Sequence, residues 1–379
     1  MKKSGLTTLG IIIGGRSVEH EISVISGLQA YFAVDKRKYN VKIFYLTKNN
    51  NLILTKNNEE LKNYQDNKIK DKTNVVVYRL KNDVYYQKRF PFSKKHKLDC
   101  MFPIVHGKGV EDGSLSGYLN MLGIPYPSAG ILPSAIAQDK IITKHILKKL
   151  AIPTIRYQEI RDKTDKEISK IEKNLAYPLI IKPATLGSSI GIKVANNVSE
   201  LKDALIDALK YDDKVLVEEK KEKFTEYNCA IYKIGNKLNL SQIEEVRTAS
   251  PYLTFTDKYE DGGLKNTSKQ SRIIPAHLNK IVENQIYEYT KKIYTYLNFK
   301  GVIRIDYIYD LNLKKIYVNE INTIPGSLAF YLYEKKNLSY TNLLDDLIKA
   351  SLIDKAKENE YISSFDTNIL KIKKLKMKK

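Results

Sequence analysis

The sequence predicts an α/β protein in three parts: a parallel-sheet domain, a small central α+β unit, and a closing region on a largely antiparallel sheet. Three patterns carry that prediction. Apolar runs alternate with a helix-period segment near the N-terminus, two strands flank a Gly/Ser loop in the middle, and four strand-like runs accompany one long helix in the last third. With 379 residues the chain has room for two or three domains of roughly 100–200 residues each. Its hydrophobic fraction of 42% suffices for packed cores, which argues against wholesale disorder.

The run "LGIII" at 9–13 is a short buried strand closed by Gly14 and Gly15. "SVEHEISVISGLQAYFAV" follows with apolar residues at helical spacing, Ser17 as N-cap and Glu19 and Glu21 in the first turn. "YNVKIFYLT" is the next strand. Residues 48–96, rich in Lys, Asn and Asp, form an elaboration with strand-like pieces at "NVVVYRL" and "DVYYQKRF". "DCMFPIVHG" returns to a buried strand ending in glycine, and this alternation predicts a parallel sheet with ligands at the carboxyl ends of its strands.

From 135, "AIAQDKIITKHILKKLAIPT" reads as one amphipathic helix stopping before Pro153. The hairpin "IIKPATLGSSIGIKV" (180–194), the helix "SELKDALIDALKY" and the strand "KVLVEEK" come next. "CAIYKIG", "LNLSQIEEV", "GVIRIDYIYD" and "KKIYVNEIN" are strands of an antiparallel sheet, with a helix over 278–297 packed on it. The divisions fall at 1–133, 134–217 and 218–360, followed by a basic tail at 361–379.

A formal net charge of +21 admits a nucleic-acid or membrane-surface partner. The lysines are scattered among acidic residues, however, without an arginine stripe or an aromatic nucleic-acid motif, so the reading is a lysine-rich surface with no nucleic-acid partner. The one dense run, "KIKKLKMKK" at 371–379, is a solvated end. Cys100 and Cys229 stand far apart with no CxxC spacing, as buried small residues in a reducing compartment would. The apolar part of "MKKSGLTTLGIIIGG" is too short for a signal peptide, and nothing approaches the ~20 apolar residues of a membrane span. The expectation is a cytoplasmic protein without a membrane partner.

Two constellations suggest chemistry. In "IIKPATLGSSIGIKV" Lys182 precedes the glycines and a strand follows them, so this is not a P-loop. A hairpin flap fits instead, with backbone N–H groups and the hydroxyls of Ser188 and Ser189 able to close over phosphate oxygens, although an ordinary tight turn would look the same. In "GVIRIDYIYDLNLKKIYVNEINTIPGS", Asp306 is expected at a strand end, with Glu320 and Asn322 two apart on the next strand and on one face. Three oxygen ligands facing one point suit Mg²⁺, which also takes phosphate oxygens and water. Arg304 shares that face, and such charges are costly to bury without a partner.

These motifs resemble those of the D-alanine–D-alanine ligase family, part of the ATP-grasp superfamily. The resemblance runs through "GGRSVEHEIS" (14–23), "HGKGVEDGSLSGYLNMLGIPYPSAG" (106–130), "QDK" (138–140), "IIKPATLGSSIGI" (180–192), "VLVEEK" (215–220), "SRIIPA" (271–276) and "GVIRIDY…NEINTIPGS" (301–327). It spans nearly the whole chain apart from 48–96 and the tail. It implies an ATP-grasp fold with a Rossmann-like N-terminal domain, and ATP-dependent joining of two D-alanines through an acyl phosphate for peptidoglycan synthesis. A homodimer is expected, since relatives are commonly dimers.

The resemblance also implies roles. Lys140, Lys182 and the flap with Ser188 and Ser189 would meet the ATP phosphates. Glu218, Glu219, Lys220 and Lys221 would lie against the adenine, with Glu218 and Glu219 left as alternatives, and Glu226 would hold the ribose. Asp306, Glu320 and Asn322 would bind two Mg²⁺ ions, with Mn²⁺ as a substitute. Glu19 and His106 would anchor the first D-alanine, and Arg304 with the N–H of Gly326 would stabilise the tetrahedral oxyanion. "TFTDKYEDGG" (254–263) resembles a mobile loop, bringing Lys258 to phosphate and Tyr259 toward Ser188 and Glu19.

Bland readings stand beside several of these. His106 suits a satisfied strand-end histidine, Glu19 a helix-dipole partner, and Glu218 a solvated edge. Two departures stand out: Leu186 occupies a flap position that is polar in many relatives, and Ser327-Leu328 come earlier than the register in which many relatives clasp the second substrate's carboxylate, where Tyr331-Leu332 fall. Ser327, Leu328 and Tyr331 therefore all stand as candidate substrate-binding residues. The rivals are a sibling ligase using D-lactate or D-serine, a basic nucleic-acid binder, and a dinucleotide oxidoreductase. The last lacks G-x-G-x-x-G.

Overall fold

The computed structural model describes residues 6–54, 59–65, 69, 73–88, 91–187, 189–248 and 270–367. Three sheets organise the chain. The first is built around β1 (Thr7–Gly14), which pairs in parallel with β2 (Tyr39–Leu46) and with β7 (Cys100–Pro103). Their near-continuous apolar sequence suits burial on both faces. Helix α1 (His20–Ala33) crosses from β1 to β2 and lies so close to the sheet that a Cβ on Gly27 would stand 2.0 Å from Ile13 Cγ2. The helix begins two residues later than the Ser17 cap predicted. Glu19 occupies the N-cap position without using its side chain as a cap, and Ser17 Oγ instead donates to the His106 carbonyl at 2.6 Å.

The 48–96 segment completes this sheet. Strands β3 (Leu52–Leu54), β4 (Thr73–Leu80), β5 (Asp83–Lys88) and β6 (Lys95–Leu98) add to it antiparallel, in the order β6-β5-β4-β3-β2-β1-β7. The domain is therefore a mixed sheet with a parallel heart.

After α2 (Ser114–Leu122), the predicted single helix at 135–150 is two helices, α3 (Ile131–Gln138) and α4 (Lys140–Lys149). Asp139 breaks them with extended backbone, and its carboxylate accepts from the N–H groups of Ile141 and Ile142 at 3.0 and 3.1 Å. The apolar spacing runs on through the break, so periodicity alone reads one helix; the aspartate N-cap decides otherwise.

The second sheet has the order β10-β9-β11-β8, from β8 (Tyr157–Ile160), β9 (Leu179–Pro183), β10 (Lys193–Ala195) and β11 (Val215–Glu219). Helices α5 (Asp165–Asn174) and α6 (Val198–Ala208) cover it, and its core of Ile171, Ile181, Leu205 and Val217 draws on this unit alone. The division expected at 217/218 thus falls inside β11.

The third sheet is antiparallel throughout, in the order β14-β13-β12-β15-β16: β12 (Phe224–Ile234), β13 (Lys237–Thr248), β14 (Gln270–Ile273), β15 (Ile303–Asp310) and β16 (Lys315–Asn322). Helix α7 (Lys280–Tyr296) packs on it, as do Leu147, Leu150 and Ile152 from α4 and the chain after it. After α8 (Phe330–Glu334), helix α9 (Tyr340–Glu358) returns to the first sheet, where Leu343, Leu347 and Ile348 share one core with Leu9, Ile11 and Phe102. Tyr39 donates to Asp345 at 2.6 Å and Tyr232 to Asp346 at 2.7 Å, tying the first and third sheets to that helix. Both cysteines are buried free thiols. Among the described residues no helix is long and apolar enough to cross a membrane.

Candidate active site

The carboxyl end of β1 and the segment after β7 form the first wall. Gly14 and Gly15 have φ of 85° and 103°, and Gly15 N–H donates to Leu46 O at 2.7 Å, turning the chain toward α1. His20 Nδ1 donates to the Gly15 carbonyl at 2.6 Å, and its Nε2 is hydrogen-bonded to Tyr45 Oη, 2.7 Å away. Glu19 follows this turn. A Cβ on Gly107 or on Gly187 would stand 2.9 or 3.0 Å from Glu19 Oε2, so the carboxylate sits between the first sheet's loop and the flap. His106 is buried; its N–H donates to Ser23 Oγ at 2.9 Å and its Nε2 lies 3.1 Å from Ser26 Oγ.

Glu111, which the sequence reading passed over, stitches this wall to the third sheet. Its Oε2 accepts from Gly107 N–H at 3.0 Å, and its Oε1 from Thr323 Oγ1 and Ile324 N–H at 3.0 and 2.9 Å. Burial pushes its carboxyl up, Glu19 adds to that, and His106 with the N–H donors opposes it.

The second wall comes from the middle of the chain. Lys140 starts α4, donates its backbone N–H to Ala184 O at 3.0 Å and its ammonium to Leu186 O at 2.6 Å. Burial pushes its pKa down with help from Lys182, while Glu320, Glu218 and Glu19 resist. Glu19 comes from the loop after β1, Lys182 and Glu218 from the second sheet and Glu320 from the third, so all three parts of the chain act on one ammonium. Lys182 lies on β9 and Glu218 on β11, diagonal neighbours on one face. Glu218 is not a solvated edge: it is 2% exposed, with Lys144 Nζ 2.5 Å from Oε1 and Lys182 Nζ 2.6 Å from Oε2. Strand alternation turns Glu219 to the other face, where Arg156 is 3.2 Å away. Beyond β11, Lys220 N–H donates to Pro178 O at 2.8 Å, Lys221 lies 3.4 Å from Asp310, and Glu226 sits on β12 opposite Ile308. Ser189 lies in the flap with φ 59°. Ser188, Lys258 and Tyr259 lie outside the described residues.

Burial pushes the Glu218 carboxyl up, but Lys144 and Lys182 overcome it and hold it down at about 2, against an ordinary value of 4.5. A depressed carboxyl adds stability above its unfolded pKa and loses it as pH falls through the folded one. The free energy of urea unfolding is expected to drop between pH 4.5 and 2 in wild type, with that part of the drop absent in Glu218→Gln.

The third wall is β15 and β16. Asp306 is not at a strand end but within β15, opposite Glu320 and just before a register shift. Arg304 grips it with two bonds, Nε to Oδ1 at 2.7 Å and Nη2 to Oδ2 at 2.8 Å, and Asn322 Nδ2 donates to Oδ2 at 3.0 Å. The Arg304 guanidinium is held well above its ordinary pKa by Asp306 despite burial. Among the described residues no cluster of three or more His, Cys, Asp or Glu side chains is placed to hold a metal by itself. Two carboxylates and an amide are an all-oxygen, partial donor set, which fits Mg²⁺ sharing its remaining positions with phosphates and water.

Gly326 opens a turn in which Ser327, Leu328 and Ala329 all take φ near 50°, a conformation costing roughly 1–2 kcal/mol per L-residue. Ser26 Oγ accepts from Ser327 N–H at 3.2 Å and Pro325 O from Leu328 N–H at 2.8 Å, and the Ser327 hydroxyl donates to Gln29. A Cβ on Gly326 would meet nothing within 4 Å, so its backbone borders open space. Of the candidate substrate-binding residues, Leu328 has its side chain buried in the core shared with α9. Tyr331 donates to Glu244 Oε2 at 3.1 Å, and burial pushes its hydroxyl up to about 12. Arg272 lies 5.1 Å over its ring and 3.4 Å from Glu244 Oε1, and Asn228 donates to Oε2 at 2.9 Å.

The family models described as "D-ala D-ala ligase N-terminus" and "D-ala D-ala ligase C-terminus" match residues 8–129 and 146–349. The D-alanine--D-alanine ligase of Thermosipho melanesiensis is 36% identical over 370 residues, covering 97% of this chain and 99% of the relative. The chain belongs to the D-alanine–D-alanine ligase family. Among solved structures, the VanG D-Ala:D-Ser ligase from Enterococcus faecalis superposes with TM-score 0.77 at 28% identity, covering 92% of this chain and all of that one. The Bacillus anthracis D-alanine--D-alanine ligase complexed with ATP gives TM-score 0.68 at 25% identity over 94% of this chain and 100% of that one. The fold is the α/β ATP-grasp fold, with the flap in the second sheet and the oxygen cluster in the third.

Proposed function

We propose that the protein joins two D-alanine molecules into D-alanyl-D-alanine, converting ATP to ADP and phosphate, as a cytoplasmic step of peptidoglycan precursor synthesis. The observation that carries this reading is the meeting of the flap with the second sheet's lysines and the loop after β1. The Lys140 ammonium donates to Leu186 O at 2.6 Å, Lys182 lies 2.6 Å from Glu218, and Glu19 Oε2 lies beside Gly187, while the electrostatic influence of Glu320 on Lys140 brings in the third sheet's oxygen cluster. Full-length similarity to named ligases supports the substrates.

Glu19, beside Gly107 and Gly187, takes the ammonium of the first D-alanine, and His106, fixed by Ser23 and Ser26, sets that wall. The carboxylate of this D-alanine attacks the γ-phosphorus while Lys140 and Lys182 hold the phosphates, giving D-alanyl phosphate and ADP. The amine of the second D-alanine attacks the acyl carbon, and phosphate leaves. Arg304 and the Gly326 N–H stabilise the oxyanion between these events. Asp306, Glu320 and Asn322 would hold two Mg²⁺ ions, which would supply neutralisation of phosphate charge. The resemblance further supports a homodimer.

Similarity to a D-Ala:D-Ser ligase favours one second reading, D-serine as acceptor. ADP release measured with D-alanine alone, L-alanine alone, and D-alanine mixed with D-serine or D-lactate separates these. Turnover is expected with D-alanine alone and not with L-alanine; faster mixed-product formation would assign the acceptor to D-serine or D-lactate.

A further inference from the structure

Lys144 is a buried cation to which the contacts above give no task. It lies one turn beyond Lys140 on α4, 2% exposed, with its Nζ 2.5 Å from Glu218 Oε1 and 5.3 Å from the centre of the Tyr157 ring. The second oxygen of the same carboxylate holds Lys182, whose side chain is 12% exposed. One buried anion is thus shared by two ammoniums, one sealed under a ring and one reaching the crevice. A phosphate can recruit only the second.

If Lys182 left a Glu218 that had no other partner, a buried carboxylate would be stranded, which is among the costlier changes a protein interior can undergo. We propose that Lys144 is the standing counter-ion of Glu218, a positioning residue that lets Lys182 exchange Glu218 for a nucleotide phosphate. This rests on the reading of Lys182 as a phosphate ligand. Burial pushes the Lys144 pKa down, and the facing Glu218 carboxylate opposes that shift. Lys182 carries no such obligation, being held by the one oxygen that Lys144 does not face.

The test is the Kd of a non-hydrolysable ATP analogue with Mg²⁺, by calorimetry, on wild type and on Lys182→Met, Lys144→Met, Glu218→Gln and the Lys144→Met/Glu218→Gln double variant. Lys144→Met is expected to weaken binding about a hundredfold, because Lys182 can no longer leave without stranding Glu218. The double variant is expected to return to within about threefold of Glu218→Gln alone, since no anion is left to strand. A merely structural lysine would lower the melting temperature and leave this coupling at zero. Wild-type affinity in Lys144→Met together with weakened Lys182→Met overturns the inference and leaves the proposed function standing. Unchanged binding by Lys182→Met overturns the phosphate reading and the inference with it. Should Lys144→Met fail to fold, the crystal structure of the wild-type analogue complex decides. Lys182 on phosphate with Lys144 still on Glu218 supports the exchange, and Lys182 still on Glu218 overturns it.

Discussion

Replacing Glu320 with Gln is expected to lower ADP release with D-alanine about a thousandfold while leaving the melting temperature within a few degrees. Glu320 stands opposite Asp306 across β15 and β16, and its charge is the main carboxylate influence on Lys140. The amide keeps the shape and removes the charge, so phosphate neutralisation fails without a cavity. Steady-state ADP release beside thermal unfolding checks both halves; activity above about a tenth of wild type would remove Glu320 from the site. Arg304→Ala is the less clean probe. It removes the two bonds by which Asp306 is gripped in the native state, and a loss of about 3 kcal/mol in stability accompanies the loss of turnover.

Glu111→Ala is the second large effect. It removes three hydrogen bonds at once and leaves the N–H groups of Gly107 and Ile324 and the Thr323 hydroxyl without that acceptor. Each unsatisfied group costs about 1–3 kcal/mol where it stays buried. The segment released is the one that leads directly into Gly326, so the oxyanion donor drifts relative to the first substrate. The expected outcome is kcat down about a hundredfold with the KM for ATP nearly unchanged, because the phosphate-facing lysines lie on other elements. A rise in the ATP KM with kcat preserved would show that the loop serves the nucleotide instead.

Much of this architecture is legible in the residues. Apolar β1 and β7 around an amphipathic α1 announce a parallel heart, and Glu320 and Asn322, two apart on a strand, announce a shared face. The flap hairpin follows from strand–Gly/Ser–strand order, and "NVVVYRL" and "DVYYQKRF" carry strand composition, although their joining the first sheet depends on pairing that no local pattern encodes. Other features are not readable. The apolar spacing over 135–150 continues through Asp139, and only the cap geometry breaks the helix. Lys144 looks like any surface lysine until β11 is folded against α4. Left-handed backbone at Ser327, Leu328 and Ala329 has no glycine or asparagine to signal it, since it is imposed by Ser26, Gln29 and the core around Leu328. Glu111 sits in a glycine-rich segment as an ordinary acid, and its partners Thr323 and Ile324 lie more than two hundred residues away.

Helix α9 has a mechanical consequence. By lodging its leucines in the core that β1 and β7 build while Asp346 holds Tyr232, it welds the first and third lobes into one body. The middle lobe keeps its interior to itself and is joined to α4 through Ile141, Ala184 and Leu216 and through the polar contacts of Lys140 and Lys144. Any rigid-body displacement of the second sheet's lobe would therefore move Lys182 relative to Glu19, Arg304 and Glu320 while leaving those three fixed to one another.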